Sequence, residues 1–168
     1  MHAYCMMTNH FHLLLETSDI KIGKFMKFFS GSYAIYFNRK YSYQGHLFEG
    51  RYKGYIIKED SYFLQTSRYI HRNPVKAGIT LHPEEYPWSS YRTIIGLGDD
   101  KLTYTDRTWR YFHDHPQMRY REFVENEGQK YNIEENRIRK NIGEDELWLP
   151  TAYDFGNESF GSGSLGSC

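Results

Sequence analysis

MTNHFHLLL, residues 7–15, sets two imidazoles one residue apart inside a run that otherwise reads as a buried β-strand. Successive side chains of an extended chain point to opposite faces, so His10 and His12 share one face while Phe11 and Leu13 fill the rest of the run. Two histidines at i and i+2 can hold one metal ion between them. They can equally be polar residues on the solvated face of an antiparallel sheet, because histidine is tolerated in strands as well as being the commonest metal ligand. The pair alone does not decide; a partner elsewhere in the chain must.

Around that stretch, residues 2–7 and 9–16 read as one extended run or as two strands meeting at Thr8-Asn9, a turn-forming pair. The sheet starts abruptly at residue 2, which raises the expectation that an N-terminal piece is missing. Downstream, Ile22, Phe25, Met26, Phe29, Tyr33, Ile35, Tyr36 and Phe37 recur at three- and four-residue spacing with Lys21, Lys24, Lys27, Arg39 and Lys40 mostly between them. That pattern predicts an amphipathic helix over 20–41, N-capped by Ser18 or Asp19, in which Gly31 costs about 1 kcal/mol relative to alanine. The lysines fit a solvated face or a phosphate backbone.

Residues 44–57 (QGHLFEGRYKGYII) read as a loop and then a strand. Arg51 and Lys53 interleave there with Tyr52 and Tyr55, a pattern that suits single-stranded nucleic acid or an edge strand guarded by charge. Residues 61–78 predict a second helix, capped by Asp60 or Ser61 and limited by Pro74. Tyr62, Gln65, Tyr69 and Asn73 fall on one face of it, Tyr69 and Asn73 one turn apart. A metal on two histidines needs further ligands, and Asn73 offers an oxygen. If the helix crosses the strand, Tyr69 arrives beside the metal, and a polarised phosphodiester next to a phenol permits covalent phosphoryl transfer; hydrolysis by water is the competing chemistry. Over 84–97 a short helix started by Pro87 is expected to dock Trp88 and Tyr91 on the core. One or two helices follow in 105–125, with the second His-x-His, His113-Asp114-His115, in a loop between them rather than at a metal.

The bulk properties bound the choice. A chain of 168 residues has room for one domain and an appendage, with a core rich in its 11 Phe, 16 Tyr and 3 Trp. Zero net charge argues against a strongly basic nucleic-acid binder but hides a split. Residues 1–98 carry 12 Lys and Arg against 7 Asp and Glu, whereas residues 99–168 carry 9 against 14, so a phosphate-binding surface belongs in the first part. Cys5 and Cys168 make no disulfide framework, which leaves a reducing cytoplasm as the default. No apolar run approaches the ~18 residues of a membrane span. From residue 127 the composition turns acidic and polar, and a disordered tail is expected.

Four segments taken together, AYCMMTNHFHLLLET, GHLFEGRYKGYI, YIHRNPVKAG and YPWSSY, resemble in order and spacing the REP-associated tyrosine transposases, a branch of the single-tyrosine HUH transposase family, over roughly residues 2–98. The resemblance implies an α+β fold with a ferredoxin-like or RRM-like antiparallel sheet and helices on one face, here without its first strand and helix. It divides the chain into a transposase-like domain over 1–98, a helical extension over 99–126 and the tail over 127–168. By the same resemblance His10, His12 and Asn73 are the metal ligands, for Mg²⁺ or Mn²⁺, and Tyr69 is the nucleophile, with Tyr62 its rival. The implied reaction is cleavage and rejoining of single-stranded DNA beside a hairpin of a palindromic repeat through a 5′-phosphotyrosine, with no ATP. Lys24, Lys27, Arg51, Lys53, Arg68, Arg72 and Lys76 are the expected DNA contacts, on a monomer or homodimer. Two other readings stand beside it: a non-catalytic hairpin-binding remnant, and a metal-dependent phosphodiesterase in which Tyr69 is structural.

Overall fold

The computed structural model describes residues 1–126. The expected tail over 127–168 lies outside the described residues. Strand β1 (Ala3–Met6) turns back through Thr8-Asn9 into β2 (Phe11–Leu14), and the amide of Met7 donates to the His10 carbonyl at 2.8 Å to close the turn. Of the two readings of this stretch, the hairpin is the one that forms. Its antiparallel register sets Cys5 opposite His12 and Ala3 opposite Leu14. Opposed residues share a face, so the histidine face also carries Ala3, Cys5 and Leu14.

That face is covered. Helix α2 (Asp60–Lys76) packs Phe63 and Ile70 onto Ala3, Cys5 and Leu14, with Tyr86 completing the cluster. The outer edge of β1 is also closed, because Met6 donates to the Trp88 carbonyl, Ser90 donates to the Tyr4 carbonyl, and Cys5 bridges to Ser89. On the opposite face Phe11 meets Phe29 of helix α1 (Ile22–Tyr41) at 5.6 Å and Phe48 of the following loop at 6.3 Å. The short hairpin therefore has a helix at each face near the histidines.

Several boundaries depart from the sequence reading. Helix α1 begins after Lys21 with no side-chain cap, so Ser18 and Asp19 do not cap it, and α2 begins after Glu59, likewise without a side-chain cap. Residues 44–57 form an extended loop with one bridge residue, Lys53, instead of a strand. Alternating basic and aromatic residues look alike in an edge strand and in such a loop. Pro74 lies inside α2, which runs on to Lys76; the stop is a Schellman arrangement in which Gly78, at φ +67°, donates to the Val75 carbonyl and Ile79 to that of Pro74. Over 83–94 a 3-10 turn at Pro83–Glu85 precedes α3 (Tyr91–Ile94). Tyr91 is fully buried, but Trp88 is 66% exposed and Pro87 starts no helix.

Beyond residue 99, α4 (Asp106–Trp109) and α5 (Pro116–Glu125) flank the His113–His115 loop. Their aromatic residues form a second cluster with Tyr91, Ile94, Tyr120 and Val124 at its centre. The two clusters are joined by a buried line of hydrogen bonds. Ser67 Oγ pairs with Tyr120 Oη, Tyr120 Oη lies 2.8 Å from His71 Nδ1, His71 Nε2 lies 2.8 Å from Ser90 Oγ, and Ser90 Oγ donates to the Tyr4 carbonyl. Both nitrogens of the fully buried His71 are thereby satisfied, and burial pushes its pKa down to about 3, which keeps it neutral.

Candidate metal and tyrosine site

His10 and His12 lie on the helix-covered face of the hairpin, which removes the reading of the pair as residues of a solvated sheet face. Their Nε2 atoms are 3.1 Å apart and the rings stand edge to face at 4.8 Å. Two ligand nitrogens each ~2.1 Å from one ion and at a right angle around it stand ~3 Å apart, so the spacing suits a shared divalent cation. The turn sets the outer ring: His10 Nδ1 donates to Asn9 Oδ1 at 2.7 Å, which leaves its Nε2 unprotonated and able to accept from His12 Nε2. Burial lowers the pKa of His10, and burial followed by the neighbouring His10 charge lowers that of His12 to about 4. Both imidazoles are uncharged at neutral pH, the state a metal requires.

Tyr69, one face of α2 removed from the buried Ile70, packs its ring edge to face against His12 with centroids 5.6 Å apart. Lys76, two turns on, holds its ammonium 5.1 Å from the centre of the same ring. Asn73 stands between them in sequence, and its amide nitrogen donates to the Tyr69 carbonyl at 2.8 Å, leaving its side-chain oxygen as the group with ligand chemistry. Tyr62, by contrast, has its carbonyl engaged by Thr66 Oγ1 at 2.7 Å and lies nearly two turns before Tyr69 on the helix. Among the described residues no cluster of three His, Cys, Asp or Glu forms, at the hairpin pair or at His113 and His115.

The basic residues divide. Lys24, Lys27 and Arg51 are exposed, as is Lys76, and Lys53 is half-buried. Arg68 faces the other way: it is buried, its guanidinium donates to the carbonyls of Val124 and Asn126, and it stacks on Phe123 at 5.5 Å. Arg72 also reaches the Val124 carbonyl, at 3.2 Å. These two arginines tie α2 to α5, and Arg68, expected as a DNA contact, is buried in that tie. Helical spacing put it near Tyr69 in sequence but could not say which side α5 would cover. Asn9 and His71 are the residues that sequence reasoning passed over. In the sequence Asn9 reads only as a turn former, and its place directly before His10 is the signal for the contact.

Residues 1–73 match a family described as Transposase IS200 like. Over these residues, somewhat less than half of the chain, the sequence is similar to the IS200-like transposases. The matched segment ends at Asn73 and takes in His10, His12 and Tyr69, while Trp88 and everything in α3, α4 and α5 lie beyond it. No curated protein and no solved structure matches the chain. No helix among the described residues is long and apolar enough to cross a membrane.

Proposed function

We propose that this IS200-like transposase nicks and rejoins single-stranded DNA beside a hairpin by a metal-dependent phosphoryl transfer to Tyr69. The observation that carries the reading is the packing of the Tyr69 ring on His12, with the two Nε2 atoms 3.1 Å apart beside it. A nucleophile and a cation site in contact are what covalent phosphoryl transfer needs. His10 and His12, with Asn73 as third ligand, would hold Mg²⁺ or Mn²⁺, and the ion supplies withdrawal of charge from the scissile phosphate. The imidazole pair favours Mn²⁺ in affinity over Mg²⁺.

The chain's own part is positioning. The Tyr69 phenolic oxygen attacks phosphorus, its proton passes to water, the P–O3′ bond breaks, and the 3′ oxygen leaves as a hydroxyl after taking a proton. The 5′ end stays on the enzyme as a phosphotyrosine, and attack by a 3′-hydroxyl reverses the step, so the bond energy is conserved and no nucleotide triphosphate is consumed. Lys76 over the Tyr69 ring favours the negative charge that develops there. Exposed Lys24, Lys27 and Arg51, with Lys53 and Arg72, are proposed to meet the phosphates of the hairpin.

The test is a covalent adduct assay with a single-stranded hairpin oligonucleotide and Mn²⁺. Wild type forms a denaturation-resistant adduct, and both Tyr69→Phe and His12→Ala lose it by at least ~100-fold. Cleavage that survives Tyr69→Phe but not His12→Ala would replace this reading by the phosphodiesterase, and retention of the hairpin without any adduct would leave a binding protein.

A further inference from the structure

Helix α1 carries two stripes. The inner one meets the hairpin and its loop, with Phe29 against Phe11 and Tyr33 against Phe48 at 6.3 Å. The outer one, Ser32, Ile35, Tyr36, Arg39 and Lys40, follows the i, i+3, i+4, i+7, i+8 spacing and lines a shallow groove along the distal half of the helix. Tyr36 is 54% exposed and Tyr41, at the helix end, 58%. Lys40 bridges the two rings, its ammonium 5.5 Å from the centre of Tyr36 and 5.3 Å from that of Tyr41. From Ile22 to Tyr41 the helix holds two lysines, an arginine and a further lysine, and no aspartate or glutamate.

We propose that this outer stripe is a platform for single-stranded DNA, on which unpaired bases stack against Tyr36 and Tyr41 while Arg39 and Lys40 meet the backbone. The inference rests on the DNA-transposase reading and adds a contact on residues other than those around Tyr69. Exposed rings interleaved with cations match a polyanion whose bases are free to stack, because every base offers a π-face and every phosphate a negative charge. A duplex offers only the phosphates, its bases being stacked on one another. A second copy of the helix fits poorly: two such stripes face to face bring like charges together with no acidic residue of α1 to offset them.

Fluorescence anisotropy on the whole chain, without metal, tests this. The probes are a labelled, unstructured single strand of about 20 nucleotides and a duplex of the same length. Tyr36→Ala with Tyr41→Ala should weaken the single strand by ~10-fold or more and leave the duplex unchanged. Tyr36→Leu with Tyr41→Leu, which keeps apolar bulk for the helix, should do the same. Arg39→Gln with Lys40→Gln should reduce the slope of log affinity against log salt by about 1.4. Unchanged single-strand affinity in variants that still form the Tyr69 adduct overturns the platform and leaves the transposase reading standing. Equal loss for single strand and duplex overturns stacking, and a wild-type dimer that the tyrosine variants dissolve makes the stripe a contact between copies. A wild type that neither binds single strands nor forms an adduct overturns the DNA reading itself, and the platform with it.

Discussion

Asn9 carries more than a turn. Its side-chain oxygen accepts the His10 Nδ1 proton and so fixes which ring nitrogen is free to bind a cation. Asn9→Ala is expected to weaken Mn²⁺ binding by ~10- to 100-fold while leaving the fold intact, since the residue is exposed at the hairpin tip. Isothermal titration measures this, and an unchanged affinity would make the hydrogen bond incidental. At this scale much of the site was legible. Strand alternation put His10 and His12 on one face, and helical spacing put Tyr69 and Asn73 on one stripe. The contact between His12 and Tyr69 was not, because it depends on how α2 crosses the hairpin, which only the packing of Phe63 and Ile70 on Ala3, Cys5 and Leu14 decides.

Helix α2 is the element that turns those residues into a site, and both its end and its middle are held by specific features. The end is Gly78, whose φ of +67° lets the chain close the last turn around the Val75 and Pro74 carbonyls. Gly78→Ala should cost about 1 kcal/mol in a denaturant titration, a left-handed residue being what a Cβ disfavours. Pro74 drew attention in the sequence as the stop, yet proline in a last turn sacrifices one hydrogen bond and Gly78 supplies the actual reversal. The middle is His71, neutral between Tyr120 and Ser90. Its pKa of about 3 in the folded state lies below the ordinary value near 6.5 that it regains on unfolding. The unfolded chain therefore binds the extra proton as pH drops below ~6.5, and folding stability falls with it. Between pH 7 and pH 5 this one group is expected to remove ~2 kcal/mol, seen as a fall in the denaturation midpoint that His71→Gln flattens. A midpoint equally pH-dependent in that variant would place the titration elsewhere. Neither His71 nor the inward turn of Arg68 could be read from the sequence, because both answer to α5, some fifty residues further along the chain.

Taken whole, the described chain is an α+β unit in which a two-stranded hairpin is held between helices and braced from behind by the segment beyond residue 99. His2 and Arg107 both bond Glu16, and the Tyr104 amide donates to the Met1 carbonyl, so this segment grips the start of β1 as well as α2. The two long helices were visible in the periodicity of the sequence, whereas the fold class was implied by the family resemblance. The end of the 44–57 segment reads as a strand because its β-branched and aromatic residues satisfy the pattern, but the segment reaches the rest of the fold through separate side chains, Phe48 on Phe11 and Ile57 on the cluster under α2. In the proposed reaction Tyr69 is the nucleophile and the metal rests on the hairpin histidines. Peptide mapping of the covalent adduct by mass spectrometry identifies the residue that carries the DNA. A 5′-phosphodeoxynucleotide is expected on the peptide containing Tyr69; the same mass on the peptide segment containing Tyr62, with Tyr69 unmodified, would move the nucleophile to Tyr62.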